Sequence, residues 1–137
     1  MKIAILSDIH DNVWNLSTAL KQVQEADMLL CLGDLCSPFI VNMLAKGFPE
    51  RPVHIIFGNN DGDLFRIHAK TKDFPLVKVH GEIFQKEFDG RLLFANHFDT
   101  LALPIARSGQ FDVVCYGITT ATRSSVSGKR WRSTPAH

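Results

Sequence analysis

The sequence of 137 residues lacks the features that mark a membrane-spanning or secreted chain. It contains no run of about 18 apolar residues, and its apolar start meets Ser7 and Asp8 before it reaches the length of a signal peptide. Cys31, Cys36 and Cys115 are an odd number of cysteines, without the spacing of a zinc ribbon or a disulfide framework. We therefore expect a cytoplasmic protein with reduced thiols and no membrane segment.

The sequence also lacks an excess of charge of either sign. Fifteen Lys and Arg residues against fourteen Asp and Glu residues leave a formal charge of +1. A general attraction to nucleic acid or to an anionic membrane is therefore not expected, and any phosphate binding has to be local. The composition, with 45% hydrophobic and 21% charged residues, is typical of one globular domain with a real core.

Apolar runs alternate with segments of helical period in the first half of the chain. Strands are predicted over residues 3 to 6, 28 to 32 and 53 to 57, with helices over residues 14 to 24 and 37 to 45 between them. This alternation favours a parallel sheet with right-handed crossovers.

The second half of the chain has a different texture. A short helix over residues 64 to 69 is followed by apolar stretches at 76 to 80, 82 to 88 and 91 to 95, which predict an antiparallel meander with turns at Gly81 and Asp89-Gly90. A further helix and a last strand are predicted over residues 100 to 107 and 112 to 116. We expect an α/β fold of two β-sheets packed face to face with helices outside. The large side chains assigned to the core are Trp14, Phe84, Phe88 and Phe94.

Polar clusters follow four of the strand-like runs. They are Asp8-Ile9-His10, Gly33-Asp34, Gly58-Asn59-Asn60-Asp61 and Asn96-His97. Each alone is typical of a turn, but strand ends of an α/β sheet meet at one edge, so we expect the clusters to converge. Carboxylate, amide and imidazole groups suit Mn, Fe, Zn and similar divalent ions. Two such ions about 3.5 to 4 Å apart can clamp a phosphoryl group and activate a water molecule.

The order of these clusters over residues 1 to 117 resembles that of the calcineurin-like metallophosphoesterases, in the small single-domain bacterial and archaeal phosphodiesterase branch. The resemblance implies metal-dependent hydrolysis of small phosphoesters, above all phosphodiesters. Nucleotide-like compounds are among the substrates that it implies. It also implies two divalent metal ions, with Mn favoured over Fe, Ni and Zn. By the resemblance, Asp8 and His10 would bind the first ion, Asp34 would bridge, and Asn59 and His97 would bind the second.

Two departures from the family pattern concern the chemistry. Where the family commonly has a His that helps to protonate the leaving group, this chain has Asn60, which cannot act as an acid. Asp61, which follows it, is implied to orient the site. Where the family continues with Gly-His-x-His, this chain reads Gly117-Ile118-Thr119-Thr120, so we expect the second metal site to be weakened and hydrolysis to be impaired.

The residues after Gly117 also lose the apolar period of the rest of the chain. Codons for Gly-His-Asn-His, GGC CAT AAC CAC, become codons for Gly-Ile-Thr-Thr when one C is removed. We therefore hypothesise that the domain covers residues 1 to 117 and that residues 118 to 137 are an out-of-frame tail in place of a final hairpin. The sheet edge left open would permit a homodimer. A non-catalytic scaffold is the alternative function.

Overall fold

The computed structural model describes residues 1 to 117 of the chain. The elements in this range are β1 (Ile3–Leu6), α1 (Val13–Gln22), β2 (Met28–Cys31), α2 (Phe39–Gly47), β3 (Val53–Ile55), α3 (Leu64–Thr71), β4 (Val77–Val79), β5 (Ile83–Phe88), β6 (Arg91–Asn96), α4 (Asp99–Ser108) and β7 (Val113–Tyr116). The expected α/β fold with two sheets is confirmed. The predictions of an out-of-frame tail and a missing hairpin lie outside the described residues. None of the helices from α1 to α4 is long and apolar enough to cross a membrane.

The first sheet is parallel, with its strands in the order β1-β2-β3-β4. The helices α1 and α2 connect the first three strands, as the alternation in the sequence predicts, and α3 connects β3 to β4. All four residues of β2 are buried, because this central strand is covered on both faces. The carboxyl ends of β1, β2 and β3 therefore lie side by side at one edge of the sheet.

The prediction of an antiparallel meander over residues 76 to 95 is wrong for its first strand. β4 pairs in parallel with β3, with Val53 beside Val77 and Ile55 beside Val79. The cause is α3, which lies between these strands and makes them a β-α-β unit with a crossover connection. Gly81, at φ +72°, turns the chain out of the first sheet and into the second.

The second sheet has the order β5-β6-β7. β5 and β6 form the predicted hairpin, with Phe88 beside Arg91 and positive φ angles at Asp89 and Gly90 in the turn. The strand β7 runs parallel to β6, and α4 makes the crossover between them.

The main core lies between the two sheets and on their outer faces. Leu30 of β2 and Ile56, which follows β3, pack against Phe84, Leu93 and Cys115 of the second sheet. The helices α1, α2 and α3 cover the outer face of the first sheet, and α4 covers that of the second. The order of layers is therefore helices, sheet, sheet, helix.

The assignment of Trp14 to the core is wrong, because its side chain is 82% exposed. The buried residues of α1 are Leu16 and Leu20. Trp14 precedes Leu16 by two positions, and this spacing rotates it by about 200° to the opposite face of the helix. Phe84 is buried as predicted, as is Phe94, while Phe88 is partly buried against the same core.

Candidate metal centre

The loops after β1 and β2 are joined by backbone hydrogen bonds that extend the pairing of the two strands. The Asp8 N–H donates to the Gly33 carbonyl at 3.0 Å, and the His10 N–H donates to the Asp34 carbonyl at 2.9 Å. The first two predicted clusters are therefore held against each other by the main chain. Their side chains project from one continuous platform at the edge of the sheet.

The backbone of these loops is strained at the residues that carry the polar side chains. Positive φ angles occur at Asp8 (57°), His10 (46°), Asp34 (56°) and Cys36 (76°). A non-glycine residue in this region costs about 1 to 3 kcal/mol and persists only where the surroundings hold it. Such strain concentrates at functional sites, and here it falls on consecutive turns around one point.

Two glycines permit the loop after β3 to approach the loop after β2. A Cβ on Gly33, which has φ +95°, would lie 2.5 Å from the Gly58 nitrogen. A Cβ on Gly58 would overlap the Asp34 Oδ1 atom. At the end of β7, a Cβ on Gly117 would lie 2.8 Å from the His97 Nδ1 atom, so the last described residue also borders the site.

Asp34 lies at the centre of the site and is only 2% exposed. Its Oδ2 atom is 3.3 Å from the His10 Nε2 atom and 3.4 Å from the His97 Nε2 atom. The Asp8 Oδ1 atom is 3.6 Å from the same nitrogen of His10. Ligand atoms of Asp8, Asp34 and His97 all lie within 4.8 Å of one another. These three residues form a potential metal-binding triad.

The two asparagines make different contacts. The Asn59 Oδ1 atom lies 3.1 Å from the His97 Nε2 atom. Asn60 donates its backbone N–H to the Asp34 Oδ1 atom at 2.9 Å and its side-chain amide to the Oδ2 atom at 2.8 Å. Asn59 therefore adds an oxygen to the potential ligand set, whereas Asn60 orients the Asp34 carboxylate.

Asp61 joins the two loops through their backbone. Its Oδ2 atom accepts hydrogen bonds from the N–H groups of Gly58 at 2.7 Å and Asp34 at 2.9 Å. Its Oδ1 atom accepts one from the N–H of Cys36 at 2.8 Å. A carboxylate that accepts three N–H groups makes strong, charge-assisted bonds, so Asp61 fixes the loop conformation from which Asp34 projects.

His97 is buried, and its ring orientation follows from one hydrogen bond. The Nδ1 atom lies 2.7 Å from the Leu32 carbonyl oxygen, so this nitrogen donates and carries the hydrogen. In the neutral ring the Nε2 lone pair then faces the Asn59 Oδ1 atom at 3.1 Å and the Asp34 Oδ2 atom at 3.4 Å. Three lone-pair atoms converge on one point, an arrangement that a bound cation satisfies. The donor set therefore fits a divalent metal ion.

Two further residues of these loops, Asp11 and Cys36, were not predicted from the sequence to border the site. Asp11 accepts hydrogen bonds from the Ser37 N–H at 3.0 Å and from the Ser37 hydroxyl at 2.6 Å, and so joins the starts of α1 and α2. The Cys36 Sγ atom lies 3.7 Å from the His10 Nδ1 atom. Partial burial and the nearby carboxylates, Asp11 first, raise the pKa of the Cys36 thiol to about 11. The only sequence signal for either residue is its place within two positions of a predicted ligand.

Comparison with known proteins adds the family. Residues 1 to 135 match the profile of the calcineurin-like phosphoesterase superfamily domain. A phosphodiesterase of the archaeon Methanocaldococcus jannaschii is 31% identical over 126 residues, which cover 87% of this chain and 73% of that protein. The solved structure of an archaeal phosphodiesterase is similar with a TM-score of 0.77 and 26% identity, covering 88% of this chain and 74% of that one.

Two more distant structures have the same fold. A phosphoesterase of E. coli, Yfce, aligns with a TM-score of 0.52 and 20% identity over 72% of this chain and 59% of that one. Vacuolar protein sorting 29 of Cryptosporidium parvum aligns with a TM-score of 0.62 and 20% identity over 95% of this chain and 71% of that one. At this identity the likeness concerns the fold alone.

Proposed function

The chain belongs to the calcineurin-like phosphoesterase superfamily, and we propose that it is a phosphodiesterase with a dinuclear metal centre. The observation that carries the proposal is the convergence of Asp8, Asp34 and His97 within 4.8 Å at the carboxyl ends of the strands. This edge of an α/β sheet is where ligands bind. The phosphodiesterase from Methanocaldococcus jannaschii, 31% identical, supports the choice of a diester substrate.

In the proposed site, Asp8 and His10 would hold one divalent ion, Asn59 and His97 would hold the other, and Asp34 would be a ligand of both. Oxygen and imidazole donors suit Mn, Fe, Ni and Zn, and we favour Mn. Such ions, when bound, activate a water molecule and neutralise charge on the phosphoryl group. The second ion is expected to bind more weakly, because the sequence lacks the family's Gly-His-x-His.

The chain's own residues prepare the site for this chemistry. Asp61 holds both loops through the N–H groups of Gly58, Asp34 and Cys36, so little rearrangement is needed when ions bind. Asn60 donates two hydrogen bonds to Asp34 and has no titratable proton to give to a leaving group. We therefore expect a preference for diesters with good leaving groups, which leave without general acid assistance.

Hydrolysis of bis-p-nitrophenyl phosphate in the presence and absence of Mn tests the proposal. The wild-type chain should hydrolyse the diester only with Mn, and Asp34→Asn should lose at least about 100-fold in rate, because a ligand shared by both ions loses its charge. Asp89→Asn is the matched control, since it makes the same change in an exposed hairpin turn. Mn binding without hydrolysis by the wild type would favour the alternative, a non-catalytic scaffold.

The natural substrate we propose is a small phosphoester, nucleotide-like diesters among them, in the cytoplasm. The cysteines Cys31, Cys36 and Cys115 are free thiols, which suits a reducing compartment.

We also propose a homodimer through an exposed edge of the two packed sheets. Among the described strands, β1 and β7 each pair on one side only. A cavity of about 660 Å³ lies between β1 and the strands of the second sheet and is lined partly by apolar side chains. Sedimentation velocity would detect the dimer.

A further inference from the structure

The exposed tryptophan and phenylalanine side chains of residues 1 to 117 all lie in the first turns of three neighbouring helices. They are Trp14 in α1, Phe39 in α2 and Phe65 in α3, with exposed fractions of 82%, 47% and 84%. Each precedes by two positions a residue that its helix buries, and these residues are Leu16, Val41 and Ile67. Single apolar side chains on a surface are common, whereas a group of them marks a binding site.

The topology places these three aromatic side chains beside the metal centre. The helices α1, α2 and α3 begin after the carboxyl ends of β1, β2 and β3, where the candidate ligands converge. α1 packs against α2, and α2 packs against α3, so their first turns stand in a row. Side chains on a helix lean toward its N-terminus, which here is the edge of the sheet that carries Asp34. The three rings therefore border the centre on the side of the helices.

Hydrogen bonds fix the starts of these helices. Asn12 and Asp63 each accept one from a backbone N–H in the first turn of α1 and of α3. The Asp11 carboxylate accepts the Ser37 hydroxyl at 2.6 Å and so joins the starts of α1 and α2. Asp61 joins the loops that lead to α2 and α3. A surface that is held in place before binding loses little conformational freedom when a ligand arrives.

The loops of the site and the first turns after them contain no positively charged lysine or arginine. None occurs in residues 7 to 15, 33 to 40 or 57 to 65. Within these segments, the part of a substrate beyond its phosphate therefore meets aromatic rings and no cationic side chain. Such rings bind other flat rings by stacking or edge-to-face contact. This favours a flat aromatic ester group over an aliphatic one.

We propose that Trp14, Phe39 and Phe65 form an aromatic rim that binds the ester group of the substrate, a nucleobase or a phenyl ring. The rim makes the site selective for nucleoside and aryl phosphodiesters over aliphatic ones. This inference rests on the proposed function and names the substrate class of the same site. The rim contacts a part of the substrate that does not react, so its loss should raise KM and leave kcat unchanged.

The fluorescence of Trp14 measures binding to the rim without hydrolysis. The chain's second tryptophan, Trp131, is removed by Trp131→Phe, and the full-length chain is titrated in the presence of Mn. The ligands are adenosine monophosphate, adenosine and ribose 5-phosphate. The first two should quench the emission because both carry the base, and ribose 5-phosphate should not. Adenosine monophosphate should bind more tightly than adenosine, because its phosphate adds contacts at the metal centre.

Phe65→Leu keeps an apolar side chain and removes the ring. In this variant adenosine monophosphate should bind about 10-fold more weakly. Ribose 5-phosphate, measured by its displacement of adenosine monophosphate, should bind as it does to the wild type. The KM for bis-p-nitrophenyl phosphate should rise about 10-fold at an unchanged kcat. Leu76→Ala is the control, because Leu76 is an exposed apolar residue before β4, at the opposite edge of the sheet.

Equal binding of adenosine monophosphate by the wild type and Phe65→Leu would overturn the proposal. Equal binding of adenosine monophosphate and ribose 5-phosphate by the wild type would also overturn it. An emission that shifts with protein concentration and not with adenosine monophosphate would assign the rim to contacts between copies of the chain, against the proposal. Quenching by adenosine and adenosine monophosphate without hydrolysis of bis-p-nitrophenyl phosphate would support the rim and count against the proposed function alone.

Discussion

Acid should destabilise the fold through His54, which lies in β3 and is 7% exposed. Its Nδ1 atom is 2.7 Å from the Nε2 atom of His80, and the ring of Phe84 lies 5.0 Å from both imidazole rings. One nitrogen of this contact must carry a hydrogen and the other a lone pair. The contact therefore requires at least one neutral imidazole. Protonation of both rings would place two N–H groups against each other and break the hydrogen bond.

The size of the effect follows from the pKa of His54. Burial first, and then the charges of His80, Lys86 and Lys78, lower this pKa from 6.5 to about 4. Between these values the unfolded chain binds a proton that the folded chain does not, so the free energy of unfolding decreases as the pH falls. At about 1.4 kcal/mol for each pH unit the difference is about 3 kcal/mol, and we expect about 2 kcal/mol because exposed His80 admits solvent.

Urea unfolding followed by circular dichroism at several pH values between about 7 and 4 measures this loss. The free energy of unfolding of the wild type should fall by about 2 kcal/mol more than that of His54→Met over that pH range, because the variant has no group to titrate at this position. His68→Gln, which removes an exposed histidine of α3, is the matched control. Equal pH dependence in the wild type and His54→Met would refute the reasoning.

Three further predictions concern the loops and the helix α1. Asp61→Asn should lower the free energy of unfolding by about 2 to 3 kcal/mol, seen as a lower melting temperature, because three N–H groups lose a charged acceptor. Gly33→Ala should cost about 3 kcal/mol or more in urea unfolding, since its Cβ would lie 2.5 Å from a backbone nitrogen at φ +95°; a smaller loss would mean that the loops can separate. Trp14→Ala should change the free energy of unfolding by less than about 0.5 kcal/mol. A larger loss would mean that the Trp14 side chain contributes to the core.

The convergence of the candidate ligands could be predicted from the sequence. Asp8 and Asp34 each follow a continuous apolar run, and parallel strands bring such positions to the same edge whatever their separation in the chain. His97 follows a strand of the second sheet, yet it reaches the same point through its contact with the Leu32 carbonyl. The residue types and the strand ends thus predicted where these side chains meet, whereas their roles as metal ligands are implied by the resemblance to the family.

Other features depended on contacts that a single sequence does not display. β4 is three residues long, and only its pairing with β3 shows that it belongs to the first sheet. Trp14 is a large apolar residue near the start of a helix with an apolar period, which suggested a core position. Its angle around α1 differs from that of Leu16 and Leu20, so its side chain faces solvent. The contact of Cys36 with His10 depends on the positive φ angle of Cys36. A positive φ angle is usually predicted from a glycine or asparagine, and position 36 has neither.

The most direct test of the metal centre is calorimetric titration of Mn into the metal-free, full-length chain and into Asp34→Asn. We expect one tight site and a second, weaker one in the wild type, with Mn binding at both lost or weakened by at least about 100-fold in the variant. Equal Mn binding by the wild type and Asp34→Asn would contradict the assignment of the site. Two tight sites in the wild type would refute the predicted weakening of the second ion.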